Sequence, residues 1–440
     1  MMMAHRDLLT KLFDVSVAAA LPSQVVRQAL PPKPKGRVIV IGAGKASAAM
    51  AKALEDAWDG PLEGLVITRY GYGAPCQRIE IVEAAHPVPD RAGVEAAQRM
   101  VQMVAGLTPD DLVISLISGG GSSLLCMPPP QLGPQLGGGS SHEQSAMAIK
   151  QKVNSVLLAS GAPIGEMNAV RKALSLVKGG RLAATAAPAK VVTLVISDIP
   201  GDDPALVASG PTIPDARGAA NAWEIVQRYK MQLPLPALRY LQSPGANSPD
   251  PTDECFARNE VHMIATAQMS LEAAAKAARK LGHEVHILSD AFEGEARIVG
   301  GIHANLATQI ATRGQPFNAP ALLLSGGETT VTLSEEGQKS GRGGRNTEFL
   351  LGFAFGIEGA KNITALAADT DGIDGSEANA GALANGTSIA RLRRLGHDPK
   401  ALQAANDAWG AFDALDDLLV TGPTNTNVND FRAVLIAAGE

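Results

Sequence analysis

Three short apolar runs each end in a cluster of glycine and serine. Val38-Ile39-Val40-Ile41 leads into Gly42-Ala43-Gly44-Lys45, Leu112 to Ile117 into Ser118-Gly119-Gly120-Gly121-Ser122, and Ala321 to Leu324 into Ser325-Gly326-Gly327-Glu328. Unbroken apolar runs of this length read as strands covered on both faces, the pattern of parallel sheets flanked by helices. Glycine at the carboxyl end of such a strand bares backbone N–H groups where α/β sheets bind ligands, and lets an anion approach closely. A lysine in the first segment and an arginine-glycine run after the third, Gly341-Arg342-Gly343-Gly344-Arg345, point toward phosphate chemistry.

The rest of the chain alternates in the same way. Strand-like runs are expected at 37–41, 64–68, 79–83, 111–117 and 191–197, with helical periodicity at 5–20, 44–57 and 91–105. Alternation of strand and helix predicts a mostly parallel, doubly wound sheet. The Pro- and Gly-rich stretch 128–141 reads as a loop without regular structure. A second break, Ser243-Pro244-Gly245 to Pro249-Asp250-Pro251, is taken as the boundary between domains 1–245 and 255–440. Beyond it the sequence predicts strands at 260–265, 284–288, 321–324, 329–333, 363–368 and 418–421, and helices at 267–281, 295–313 and from about 379 to 415. The expected fold class is therefore α/β, in two domains.

A chain of 440 residues exceeds one hydrophobic core, which agrees with two domains. Its net charge of −6 and 4% aromatic content argue against a nucleic-acid partner, though a few local cations suffice for one nucleotide. Cys76, Cys126 and Cys255 form neither a zinc pattern nor a disulfide framework, so a cytoplasmic location is expected. No run of eighteen apolar residues is present, so no membrane partner is expected.

Gly42-Ala43-Gly44-Lys45-Ala46-Ser47 resembles half of a dinucleotide fingerprint, but Ser47 replaces the third glycine and Glu63 precedes the second strand instead of ending it. It is read as a turn with Lys45 in the first turn of a helix, serving either an anion or simply the surface. Ser118-Gly119-Gly120-Gly121-Ser122 is suited to hold a carboxylate or a phosphate, or to be a flexible turn. Arg171, Ser175 and Lys178 would share one helix face, which a solvated basic surface explains equally well. Asp198 stands at a strand end, placed to hold magnesium through water, and Asp369, Asp371 and Asp374 would gather a hydrated divalent cation. The arginine-glycine run suits a multidentate grip on phosphoryl oxygens. His86 reads as loop architecture, and no Ser/His/Asp order emerges.

Taken together, these motifs resemble the glycerate 2-kinase (class II glycerate kinase) family, whose C-terminal part is the MOFRL domain. The resemblance runs from Gly42-Ala43-Gly44-Lys45 and His86-Pro87-Val88-Pro89-Asp90 to Thr421-Gly422-Pro423-Thr424-Asn425-Thr426-Asn427, in order along nearly the whole chain. It implies a Rossmann-like N-terminal domain, a distinct α/β C-terminal domain, and an active cleft flanked by both. It implies transfer of the γ-phosphoryl of ATP to the 2-hydroxyl of D-glycerate with Mg2+ as cofactor. Lys45 and Arg345 match the family's catalytic residues, and Glu328, Asp371 and Asn427 match further active-site positions. Gly42, Gly44, Ser118, Gly119, Gly120, Gly121, Ser122 and Arg342 are the accompanying binding candidates, with Asp198 and Asp371 for the metal. Asn425 stands where a glycine is usual and Ala173 where a histidine is common. The expected partners are D-glycerate and ATP, with a homodimer left open. Alternatives are a nicotinamide-dependent hydroxypyruvate reductase and a glycerate- or nucleotide-binding protein without turnover.

Overall fold

The computed structural model describes residues 2–133, 140–215, 218–334 and 341–439. Positions 134–139 of the expected loop and Ser340 lie outside the described residues. The chain divides into two compact units, one of Pro22–Ser197 with Asp202–Ile264, the other of Met1–Leu21, Asp198–Gly201 and Ala265–Glu440.

The first unit is built on a six-stranded sheet of order β3-β2-β1-β4-β5-β6. Its strands are β1 Val38–Ala43, β2 Glu63–Arg69, β3 Ile79–Ala84, β4 Leu112–Ile117, β5 Lys190–Ile196 and β6 Glu260–Ala265. β1 to β5 pair in parallel. Every residue of β1 and β4 is buried, Ser115 of β4 included, as their largely apolar sequences require. One face packs Ile39, Ile41, Leu65 and Ile67 against Ala96, Ala97 and Met100 of the helix Arg91–Val104. That helix starts at Asp90, whose carboxylate accepts the Gly93 N–H at 3.1 Å. Chain order reverses between β1 and β4, which opens a crevice at their carboxyl ends. β6 extends this same sheet, so the unit runs past the Pro-rich break at 243–251. The expected loop at 128–141 also contains regular structure: a 3-10 turn at Pro130–Leu132, and the start of the helix Ser140–Ala159.

The second unit carries a mixed sheet of order β11-β10-β9-β12-β8-β7. Its strands are β7 Val285–Glu295, β8 Ala321–Thr330, β9 Ile363–Asp369, β10 Gly381–Asn385, β11 Leu418–Leu419 and β12 Asp430–Ile436. Only β7 and β8 pair in parallel; β8, β9, β10, β11 and β12 form antiparallel pairs. The expectation of a mostly parallel sheet therefore fails in this half. β10 lies inside the stretch 379–415 expected to be helical, because Gly-Ala-Leu-Ala-Asn carries no strand signal of its own and is held by its neighbours. β12 escaped notice because a buried arginine, Arg432, interrupts its apolar run.

Helices Ala296–Arg313 and Arg345–Gly356 cover one face of this sheet through Ala304, Ala307, Phe349 and Phe353. They touch closely: a Cβ at Gly300 would stand 2.0 Å from Phe349 O, and one at Gly352 would stand 2.3 Å from Arg297 O. The opposite face packs against the helices Met2–Ala19 and Ala267–Lys280, with Leu9, Leu12, Phe13, Leu271 and Ala274 in that core. Met3–Gln28 is long and apolar enough to cross a membrane by length and composition, yet half of its most apolar window is buried in the protein.

Candidate active site

In the first unit the two glycine loops lie side by side at the β1/β4 crevice and are bonded to each other. Lys45 N donates to Gly119 O at 2.8 Å, and Ala46 N donates to Ser118 Oγ at 3.0 Å. Glycine is required there, because a Cβ at Gly42 would lie 2.4 Å from Leu116 O and one at Gly44 would lie 2.1 Å from Ser118 Oγ. The helix begins at Ser47, so Lys45 sits in the turn before it and not in its first turn. Gly44 N and Ser47 N donate to Ile67 O and Gly44 O. The N–H groups of 44–47 thus serve the protein, and the bare-backbone expectation fails for the first loop. In the second loop, the N–H groups of Gly119 and Gly120 have no internal acceptor among the described residues. Gly120, with φ +78°, brings the Lys45 stem and the His86 ring together: its missing Cβ would stand 3.3 Å from Lys45 Cγ and 2.9 Å from His86 Nε2. Burial, with Lys45 and Arg69 nearby, pushes His86 down to about 4, so its imidazole is neutral at physiological pH.

The basic segment behind this loop is neither a helix face nor solvated. The helix Ile164–Ala173 ends before Ser175 and Lys178. Lys178 is 2% exposed and its ammonium bonds the carbonyl and, at 2.6 Å, the hydroxyl of Ser122. Ser122 Oγ is also 2.8 Å from Ser209 Oγ, so the turn at 209–212 backs the second loop. Lys172 is buried too, paired with Asp215 at 2.7 Å.

In the second unit the third glycine segment is not a loop. Ser325-Gly326-Gly327-Glu328 continues β8, and Gly327, at φ +121°, lets the β7 backbone pass where a Cβ would meet Phe292 N and O at 2.3 Å. The antiparallel register places Asp430, at the start of β12, opposite both Asp369 and Gly327. Three carboxylates therefore converge at one end of the sheet, and Arg345 fills the space among them. Its Nε donates to Asp430 Oδ1 at 2.7 Å, Nη1 to Glu328 Oε1 at 2.8 Å, and Nη2 to Asp369 Oδ2 at 2.8 Å. Burial opposes the charge, but Asp430, Asp369 and Glu328 outweigh it and hold the guanidinium above its ordinary pKa. A guanidinium has five N–H donors, so two remain for an incoming anion.

The elements that fix this arginine are local. Asp374, 1% exposed, accepts the N–H groups of Asn346 and Thr347 at 2.9 and 2.8 Å, capping the helix that Arg345 begins. On its far side Asp430 is bonded by Arg432, which is fully buried and also reaches Gly326 O at 3.0 Å. Arg342 turns elsewhere, over the Trp409 ring at 4.4 Å and toward Asp407 at 3.4 Å. The expected joint grip of the two arginines is not present.

The three aspartates expected to share a cation are divided. Asp369 serves Arg345 and Asp374 caps the helix, which leaves Asp371 with Oδ1 bonded to Ile373 N at 2.9 Å. The run 421–430 ties Asp371 to Asp198. Asn429 O accepts from Thr370, Asn429 Nδ2 bonds Asp198 O, and Thr424 N donates to Asp371 O at 3.1 Å. Asn427, 3% exposed, holds this turn by accepting the Asn429 N–H at 3.1 Å. Among the described residues no group of three His, Cys, Asp or Glu side chains is arranged to hold a metal ion.

Sequence reasoning passed over Asp430, Arg432, Lys150 and the capping role of Asp374. A buried charge inside an apolar strand run, Asp430-Phe431-Arg432, was the available signal.

Residues 8–242 match the family described as Domain of unknown function (DUF4147), and residues 321–430 match the MOFRL family. The D-glycerate 2-kinase of Thermotoga maritima is 36% identical over 433 residues, 98% of each chain. The human glycerate kinase is 31% identical, over 99% of this chain and 94% of its own. An Agrobacterium vitis protein provisionally named a hydroxypyruvate reductase is 50% identical, over 98% of this chain and 94% of its own. The crystal structure of the Thermotoga maritima glycerate kinase superposes with a TM-score of 0.87 at 34% identity, covering 99% of this chain and all of that one. The chain belongs to the glycerate kinase family that joins a DUF4147 domain to a MOFRL domain.

Proposed function

We propose that the protein is an ATP-dependent D-glycerate 2-kinase, a cytoplasmic phosphotransferase with an alcohol acceptor. The 2-hydroxyl oxygen attacks the γ-phosphorus, the bond to the ADP oxygen breaks, and the hydroxyl proton passes to a carboxylate among Asp198, Glu328 and Asp371. Phosphoryl transfer needs positioning and charge neutralisation more than covalent help. Lys45 and Arg345 supply that charge. The observation that carries the reading is Arg345 itself, held protonated and oriented by three carboxylates with two N–H donors unspent.

Magnesium fits the donors present if it arrives with the nucleotide. It needs one or two carboxylates, here Asp198 and Asp371, and takes its remaining oxygens from phosphate and water. When bound it neutralises phosphate charge. Gly42 and Gly44 shape the turn that presents Lys45, and Asn427 sets the turn beside Asp371.

The name carried by the Agrobacterium relative raises a reductase as the second reading. The occupied N–H groups of residues 44–47 speak against a dinucleotide pyrophosphate at the first loop. Release of ADP that depends on D-glycerate, measured beside NADH oxidation by hydroxypyruvate, separates the two. The kinase reading expects the first and not the second.

A further inference from the structure

Beside the second glycine loop the first unit holds a cavity of about 440 Å³ that the account so far leaves unused. Lys150, Arg171 and Lys178 line it together with Gly120, Ser122 and His86. None of these three cations is paired with a carboxylate among the described residues. Lys150, 8% exposed, donates to Arg171 O and Leu174 O at 3.1 and 2.8 Å. Arg171 donates only to the amide oxygens of Asn154 and Asn168. Lys178 donates only to Ser122. Counting donors, one N–H on each lysine and two on the arginine remain. Burial lowers the pKa of all three, the expected cost of cations gathered without a counterion. An anion in the cavity would relieve that cost.

The apolar part of the lining is formed by Val153, Leu157 and Leu158, on the same helix Ser140–Ala159 that carries Lys150, and by the Pro87-Val88-Pro89 turn. Val88 and Leu158 are 57% and 63% exposed, an uncovered apolar rim at the cavity. A volume of this size is that of a site for a drug-sized ligand, so a three-carbon acid would leave most of it empty. An anion with a flat apolar portion fits this mixed lining.

We infer that this cavity is the nucleotide site, taking the base against Leu158, Val153 and Val88, and the phosphates against Gly119, Gly120, Arg171 and Lys178. The inference rests on the kinase reading and deepens it, since it assigns the nucleotide to the second glycine loop. The Lys45 stem beside Gly120 then puts that lysine at the phosphate end.

The test is calorimetric titration of the full-length protein with MgADP, which reads binding without turnover. Leu158→Asp, at an exposed position, and Arg171→Gln should each weaken MgADP by about tenfold or more. The KM for D-glycerate should change less than about twofold, the scatter allowed for a site that is not its own. If MgADP binds wild type and both variants equally, the cavity is not the nucleotide site and the kinase reading stands. If the variants instead raise the D-glycerate KM with MgADP unchanged, the cavity holds the acid and the inference fails. If wild type binds no MgADP and forms no ADP from ATP, both readings fall.

Discussion

Arg345 and Asp430 lie 2.7 Å apart, Nε to Oδ1, although 85 residues separate them in the chain. The contact exists because β12 enters the sheet antiparallel between β8 and β9, bringing its first residue to the end where those strands finish. The arginine proposed as catalytic is thereby fixed at the start of its helix by carboxylates of the sheet.

Replacing Arg345 should consequently cost stability as well as turnover. Arg345→Ala removes the cation shared by Glu328, Asp369 and Asp430, while Asp430 keeps its contact with Arg432. A loss of a few kcal/mol is expected, below the roughly 3–5 kcal/mol of a fully buried pair because the side chain is 21% exposed. The sequence alone, placing Arg345 in a glycine loop, predicts a change under about 1 kcal/mol. Urea denaturation checks which holds. Arg345→Lys should recover part of the stability and little of the rate, since a compact ammonium cannot reproduce the planar fork that spans the three carboxylates.

Asp374→Asn should act on the rate through Arg345. The substitution removes the charge from a buried cap that holds two N–H groups of the helix Arg345–Gly356. A fall in kcat of roughly tenfold or more is expected, with KM values nearly unchanged, because the loss falls on transition-state alignment. Steady-state kinetics over both substrates measures it. The aspartate does not serve only its own turn, as its sequence neighbours alone imply.

Lys45→Ala should separate the two effects. Lys45 lies on a turn whose geometry is fixed by backbone bonds to Gly119 and Ser118. Turnover should fall by about a hundredfold to a thousandfold, while unfolding free energy moves by less than about 1 kcal/mol. Near-normal turnover in folded Lys45→Ala protein would remove this lysine from the mechanism.

These contrasts show what a sequence of this kind discloses. The parallel first sheet was legible because β1, β2, β4 and β5 each carry an apolar run that leads into a recognisable turn. The second sheet was not. Gly326 and Gly327 look like a loop but lie within β8, where they admit the β7 backbone. The alanine-rich β10 has the local preferences of a helix, and only its place between β9 and β11 makes it a strand. Lys45 and Arg345 stand in motifs that single them out as candidates, whereas Asp430 meets Arg345 through a pairing 85 residues distant in sequence.

Glu348 should make stability depend on pH. Burial pushes its carboxyl up to about 7, with one oxygen lacking any hydrogen-bond partner. The folded state then holds a proton that the unfolded chain releases near pH 4.5. This contribution is complete below pH 4.5 and is lost as pH rises through about 7, on the order of 3 kcal/mol in all. Glu348→Gln should leave the melting temperature at pH 5 nearly unchanged and raise it at pH 8. Parallel melting curves for the two proteins would refute the assignment.

The central claim is the transfer of phosphate to the 2-hydroxyl of D-glycerate. Phosphorus NMR of the purified protein with ATP, D-glycerate and magnesium tests it most directly. The account predicts ADP and 2-phosphoglycerate in equal amounts, with neither formed when D-glycerate is omitted. No phosphorylated acid, together with NADH oxidation by hydroxypyruvate in the absence of ATP, would contradict it.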